Sequence, residues 1–189
     1  MKQSKLFPEN EPEVLDKIQL VIAQEIGEKI LSCISPFLKP VELVGSVRRQ
    51  KEYCRDLDFV GVASPVDFDK AFRAVKAEFK TEIKVKGDRV TRFLIDADIG
   101  RIQVDLYNAT PQTFGIHKLI RTGSANHNMW LANYAISKGF RLKYSNGLLK
   151  DGCVYAGATE KGVFDALGLR CPKPEEREIV NQKPIWFEC

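Results

Sequence analysis

The succession of apolar patterns predicts an α+β fold: a mixed β-sheet with helices on one face over residues 1–110, then a small α/β lobe over residues 111–189. Three observations predict it. A long first stretch has helical spacing, short β-rich runs follow with one helical interruption, and after Tyr107 the order becomes helix, helix, small β section, helix.

From Val14 to Ile34 the apolar residues Val14, Ile18, Val21, Ile22, Ile26, Ile30 and Ile34 recur at steps of three and four, which predicts one amphipathic helix. Asn10 and Pro12 suit its start, and Pro36 and Pro40 end it. Strands are predicted at 41–45 (VELVG), 57–63 (LDFVGVA), 81–87 (TEIKVKG), 89–95 (RVTRFLI) and 101–107 (RIQVDLY), with a helix from Asp67 to Phe79 among them. A lobe boundary is placed near Thr110. Beyond it Pro111 to Arg121 and Ala125 to Lys138 read as helices, SNGLL as a small β section and Thr159 to Leu167 as a last helix, with a surface tail from Pro172.

Composition limits the functional classes. Lys and Arg total 29 against 25 Asp and Glu, a net charge of +4, which is only weakly basic. Five cysteines (Cys33, Cys54, Cys153, Cys171 and Cys189) never form C-x-x-C, so neither a zinc site nor a full disulfide framework is indicated, and a reduced compartment is expected. No run approaches the ~18 apolar residues of a membrane span, and the N-terminus has no apolar signal core. The expectation is a soluble, intracellular, monomeric protein, in cytoplasm, nucleus or a virion, without a membrane partner.

The chemistry-bearing pattern is acidic. In a strand, residues two apart share a face, so Asp56 and Asp58 project together while Leu57 and Phe59 point the other way. In RIQVDLY the apolar Ile102, Val104 and Leu106 leave Gln103, Asp105 and Tyr107 on the opposite face. If the two strands are neighbours, Asp105 joins the pair. Three close carboxylates repel unless a cation lies among them, and an all-oxygen site suits Mg²⁺, here two ions, with Mn²⁺ able to substitute. A D-x-D on a strand is, taken alone, more often only a solvated edge pair.

Beginning eleven residues before Asp56 stands Gly45-Ser46-Val47-Arg48-Arg49, directly after an apolar strand. A glycine there admits close backbone approach, the Ser46 hydroxyl and following N–H groups can bind phosphate oxygens, and Arg49 can hold a phosphate with two parallel bonds. An anion cradle and a cation cluster on one short segment complement each other.

The sequence GSVRR, then DLD, then a later strand aspartate, resembles the nucleotidyltransferase superfamily of polymerase-beta-like folds. The segment Thr122-Gly123-Ser124-Ala125-Asn126-His127-Asn128, the helix ending in Lys138-Gly139-Phe140, and later GATEKGVFDALGL with PKPEER look like the C-terminal subdomain of family X DNA polymerases. The resemblance runs from about Val14 to Arg177. It implies a nucleotidyltransferase palm over 1–110 and a thumb-type, nucleotide-side subdomain over 111–189. It also implies a DNA-directed DNA polymerase that adds nucleotides to a primer 3′ end by two-metal phosphoryl transfer, filling short gaps in DNA repair. Asp56, Asp58 and Asp105 would be the catalytic, metal-binding carboxylates. Gly45, Ser46, Arg49, Thr122, Gly123 and Asn128 would bind the nucleoside triphosphate, and Arg55 either joins that grip or points to solvent. Primer-template or gapped DNA would be the macromolecular partner.

Departures from the family pattern fall around these positions. The aromatic pair common before Thr-Gly-Ser is Ile120-Arg121, the Asp after the Ser is Ala125, a template-reaching Arg is Ala132, an Arg two before the third Asp is Gln103, and the small pair before Asp56 is Cys54-Arg55. With about 13 residues before the first predicted helix, no N-terminal end-binding domain is expected. That implies no lyase activity, weak processivity and a salt-sensitive ionic grip on DNA. His117 and His127 read as helix-surface residues or minor nucleic-acid contacts. Trp130 and Tyr134 either stack on bases or pack inward, and Lys80, Lys84, Lys86 and Arg89 form a basic stretch. Two other readings fit the same core: a nucleotidyltransferase acting on RNA or a small molecule, and an inactive DNA-end-binding accessory protein.

Overall fold

The computed structural model describes residues 13–178. Its order is β1 (Ile18–Gln19), α1 (Leu20–Ile34), β2 (Val41–Leu43), α2 (Gly45–Arg48), β3 (Tyr53–Cys54), β4 (Asp56–Val62), α3 (Pro65–Glu78), β5 (Thr81–Lys86), β6 (Val90–Ala97), β7 (Gly100–Ala109), α4 (Phe114–Thr122), α5 (Ala125–Ser137), β8 (Phe140–Lys143), β9 (Gly147–Lys150), β10 (Cys153–Ala156) and α6 (Glu160–Ala166), closed by a 3₁₀ turn at Pro174–Arg177. The fold is α+β with a mixed sheet. Asn10 and Pro12 lie outside the described residues.

Five strands form the main sheet in the order β2-β4-β7-β6-β5. Only β4 and β7 run parallel; the other neighbours are antiparallel. Period-two alternation sends Leu57, Phe59, Phe93, Ile95, Ile102, Val104 and Leu106 to one face, where they meet Ala23, Ile26, Ile30 and Ile34 of α1 and Phe68, Ala71, Phe72 and Val75 of α3 in one buried cluster. The opposite face carries a smaller cluster, Val44, Val60, Tyr107 and Ala109, which reaches Phe114 of α4. Residues after Thr110 build their own core from Ile116, Leu119, Leu131, Phe140, Leu148, Val163 and Phe164, beside the antiparallel sheet β10-β9-β8.

Local chemistry explains most boundaries. Ser64 caps α3 by accepting from the Asp67 N–H at 3.1 Å, with Pro65 at the first helical position, so this helix begins two residues before the expected Asp67. Ser124 and Thr159 cap α5 and α6 in the same way. α4 starts at Phe114 rather than Pro111, because the Thr113 hydroxyl accepts from the Thr110 N–H and closes a turn first. The largest correction concerns the first helix. It begins at Leu20, not Val14, because residues before it are drawn into pairing: Val14 bridges Arg101, the Leu15 N–H donates to the Arg101 carbonyl, and Ile18 and Gln19 pair with Cys54 and Tyr53. The tail from Pro172 is not all surface either, since Arg177 is 1% exposed. Cys33, Cys54, Cys153 and Cys171 are free thiols. No helix among the described residues is long and apolar enough to cross a membrane.

Candidate active site

The parallel register of β4 and β7 pairs Asp56 with Gln103 and Asp58 with Asp105. Parallel partners point the same way, so the three carboxylates stand on the sheet face opposite the main core, two of them side by side. Burial raises the Asp58 carboxyl to about 8, the charges of Asp56 and Asp105 push it the same way, and Arg121 and Arg92 pull it down. Asp56 is raised first by burial and then by Asp105. Burial first, and the neighbouring acids second, disfavour the charged forms of this pair.

Asp105 is 2% exposed. Its Oδ1 accepts from Arg92 Nε at 2.7 Å, and its Oδ2 accepts from Arg92 Nη2 at 2.6 Å and from the Tyr107 hydroxyl at 2.8 Å. Burial, followed by the Asp58 charge, holds the Tyr107 phenol well above its ordinary range and keeps it a donor. With Asp105 turned to these partners, no three His, Cys, Asp or Glu side chains among the described residues form a ready metal cage. The donor set still fits a hard divalent cation: it is all carboxylate and lies on one face of the sheet.

Gly45 opens the phosphate-cradle segment with φ +67°, and a Cβ there would stand 2.6 Å from Asp58 Oδ2. Only glycine lets this turn lie against the carboxylate. Gly45, Ser46, Arg49, Lys51, Tyr53, Arg55, Asp56, Asp58 and Arg121 line a cavity of about 320 Å³. The cavity thus has a carboxylate wall and a cationic wall. Arg55 is exposed at its edge.

The other expected nucleotide-binding residues sit at the junction of the two halves. Arg49 donates to the Thr122 carbonyl and, through Nε, to Glu178 at 2.5 Å. Gly123, at φ +72°, would carry a Cβ 3.1 Å from Arg49 Nη1. Thr122 is fully buried, with its hydroxyl accepting from Arg48 at 2.6 Å. Asn128 is turned inward: Nδ2 donates to the Ile120 carbonyl at 2.7 Å, and Oδ1 lies 3.2 Å from His127 Nδ1. The Arg121 guanidinium lies 3.9 Å over the Tyr107 ring, spanning the junction beside the carboxylates.

Sequence reasoning missed several residues. Arg48, read only as part of GSVRR, forms a two-bond pair with Glu160 at 2.8 and 2.7 Å, and Glu160 also accepts from Arg177 at 2.6 Å. Arg92, which grips Asp105, carried no sequence signal except its alternation within a β run. His127 is fully buried, not a surface residue, and burial lowers it to about 4. Trp130 and Tyr134 stack on one another at 5.2 Å and pack against the C-terminal core. Lys80, Lys84 and Lys86 pair with Asp96, Glu82 and Asp69.

Residues 118–178 match the DNA polymerase beta thumb family. The chain is similar to DNA polymerase IV of Saccharomyces cerevisiae (strain ATCC 204508 / S288c), 28% identical over 81 residues, which is 43% of this chain and 14% of that protein.

Proposed function

We propose that the chain, whose residues 118–178 match the DNA polymerase beta thumb family and which is similar in part to a DNA polymerase IV, is a family X DNA polymerase that adds nucleotides to a primer 3′ end, filling short gaps in DNA repair. One observation carries this reading: Asp58 and Asp105 are register partners on the sheet face opposite the core, with the Gly45 turn against Asp58 and a cation-lined cavity beside them. Asp56, Asp58 and Asp105 would hold two Mg²⁺ ions, which when bound lower the pKa of the attacking hydroxyl and neutralise charge on the leaving pyrophosphate.

The protein's own groups bind and orient. Ser46, the backbone N–H groups of its segment, Arg49 and Arg55 line the cationic wall, where triphosphate oxygens are held by charge-assisted bonds. Arg49 would exchange one of its bonds to Thr122 or Glu178 for a phosphate, linking nucleotide binding to the junction of the lobes. Thr122 and Gly123 would lie by the sugar. Asn128 would reach the base after leaving the Ile120 carbonyl. Tyr107 keeps Asp105 oriented from below.

Primer extension on gapped, recessed and single-stranded DNA, with deoxy- and ribonucleotides in parallel and with RNA primers alongside, tests the reading. Mg²⁺- or Mn²⁺-dependent extension of gapped DNA is expected. Extension only of RNA would move the assignment to an RNA nucleotidyltransferase, and no extension of any substrate would remove the polymerase reading.

A further inference from the structure

Among the cations around the carboxylates, Arg92 is the one that holds a carboxylate by both oxygens. It stands directly across from Asp105 in the antiparallel β6–β7 register, so the contact is set by the sheet and not by a flexible loop. The two partners differ in access: Asp105 is 2% exposed, whereas the Arg92 side chain is 41% exposed. The acid is fixed, and the base has room to leave.

A carboxylate offers about four lone pairs. On Asp105, Oδ1 accepts Arg92 Nε, with the Gln103 amide at 3.5 Å, and Oδ2 accepts Arg92 Nη2 and the Tyr107 hydroxyl. Two of the three short bonds therefore come from the one group that can move. A divalent ion arriving at Asp105 would meet a guanidinium already on the same oxygens, and two cations on one carboxylate repel.

We propose that Arg92 is a stand-in cation for the carboxylate site: its guanidinium holds Asp105 when no divalent ion is bound, and releases it when one enters. Release costs Asp105 little of its orientation, because the Tyr107 bond remains. The freed guanidinium stays on the carboxylate face of the sheet, where it can take a phosphate oxygen pair of an incoming strand. Arg92 is thus a positioning residue that trades metal affinity for a paired Asp105 in the metal-free protein.

Resting as it does on the assignment of the three aspartates to a divalent ion, this role is tested on metal binding alone, without DNA or nucleotide. Mn²⁺ is titrated into the full chain and free Mn²⁺ followed by electron paramagnetic resonance. Arg92→Met is expected to bind Mn²⁺ roughly tenfold tighter than the parent, because the competitor is gone, with Arg92→Lys between them. Equal or weaker affinity in Arg92→Met, while Asp105→Asn loses binding, overturns the stand-in role and leaves the metal site in place. If Asp105→Asn binds as tightly as the parent, the metal assignment itself falls. A second measurement needs no substitution: the Arg92 Nε–H resonance of the parent should shift saturably as Mg²⁺ is added. A resonance that stays fixed at saturating Mg²⁺ overturns the role.

Discussion

Gly45 and His127 show how single positions tie conformation to the site. Alanine at Gly45 would occupy φ +67° at a cost of about 1–2 kcal/mol, and its Cβ, 2.6 Å from Asp58 Oδ2, would force that carboxylate to move. Gly45→Ala should therefore lower the melting temperature by only a few degrees while reducing extension by roughly 10²-fold or more, because small displacements of reacting groups are costly. Parent-level kcat/KM in that variant would show that Asp58 need not hold its place. His127 contributes to acid sensitivity. Its folded-state pKa, lowered to about 4 by burial, lies below the unfolded value of about 6.5. At this site the folded state thus binds fewer protons between those values, so the contribution of His127 is intact above about pH 6.5, falls as pH drops toward 4, and amounts to a loss on the order of 3 kcal/mol across that window. His127→Asn should flatten the slope of urea-unfolding free energy between pH 6.5 and 4.5; an unchanged slope would place the proton elsewhere. The apolar alternation that put Asp56, Asp58 and Asp105 on one face was legible in the sequence because it is local. The Arg92 grip was not, since it requires knowing that residue 92 lies across from residue 105.

At the scale of elements, charges reinforce the join between the sheet and the C-terminal helices, where Phe114 of α4 also packs on the apolar cluster of Val44, Val60, Tyr107 and Ala109. Arg48 at the end of α2 and Arg177 at the end of the 3₁₀ turn both donate to Glu160 at the start of α6, and Lys118 of α4 pairs with Glu42 of β2 at 2.7 Å. Burial alone would raise the Glu160 carboxyl, yet the Arg48 bond and the Arg177 charge hold it below the usual range. Removing that carboxylate leaves Arg177, 1% exposed, without its counter-charge. Glu160→Gln should cost about 3–5 kcal/mol in urea unfolding, whereas Arg48→Ala, which leaves the Glu160–Arg177 pair standing, should cost about 1–3 kcal/mol. The reverse order would mean that Glu160 is not the hub. Such a join is invisible to periodicity: Arg48 and Glu160 are 112 positions apart. The misplaced start of α1 has the same origin, because helical spacing from Val14 was overridden by pairing with Arg101, Tyr53 and Cys54.

For the whole molecule, two apolar cores meet beside the carboxylate face across a join that combines ion pairs with the small apolar cluster around Tyr107 and Phe114. The change of pattern near Thr110 is readable because each half buries its own apolar set; how the halves face each other depends on charges that carry no periodicity. The same distribution of charge sets how nucleic acid would be held. The net charge is only +4, and many surface cations are already matched: Lys80 with Asp96, Lys86 with Asp69, Lys70 with Asp67 and Lys161 with Asp165. A strand crossing the carboxylate face would meet Lys51, Arg55, Arg89, Arg92 and Arg121, so a small number of phosphates is neutralised. With roughly three to five such contacts, counter-ion release predicts that affinity for gapped DNA falls about 50- to 500-fold between about 50 and 200 mM salt. Fluorescence anisotropy across that range measures the slope directly. Arg55→Gln, at the exposed edge of the cavity, should reduce the slope by about one contact without changing which DNA structures are bound, since phosphate contacts position a strand and do not read its bases. A salt-independent affinity would mean that the DNA is held by stacking, with the exposed Tyr144 and Tyr155 of the C-terminal lobe as the first residues to substitute.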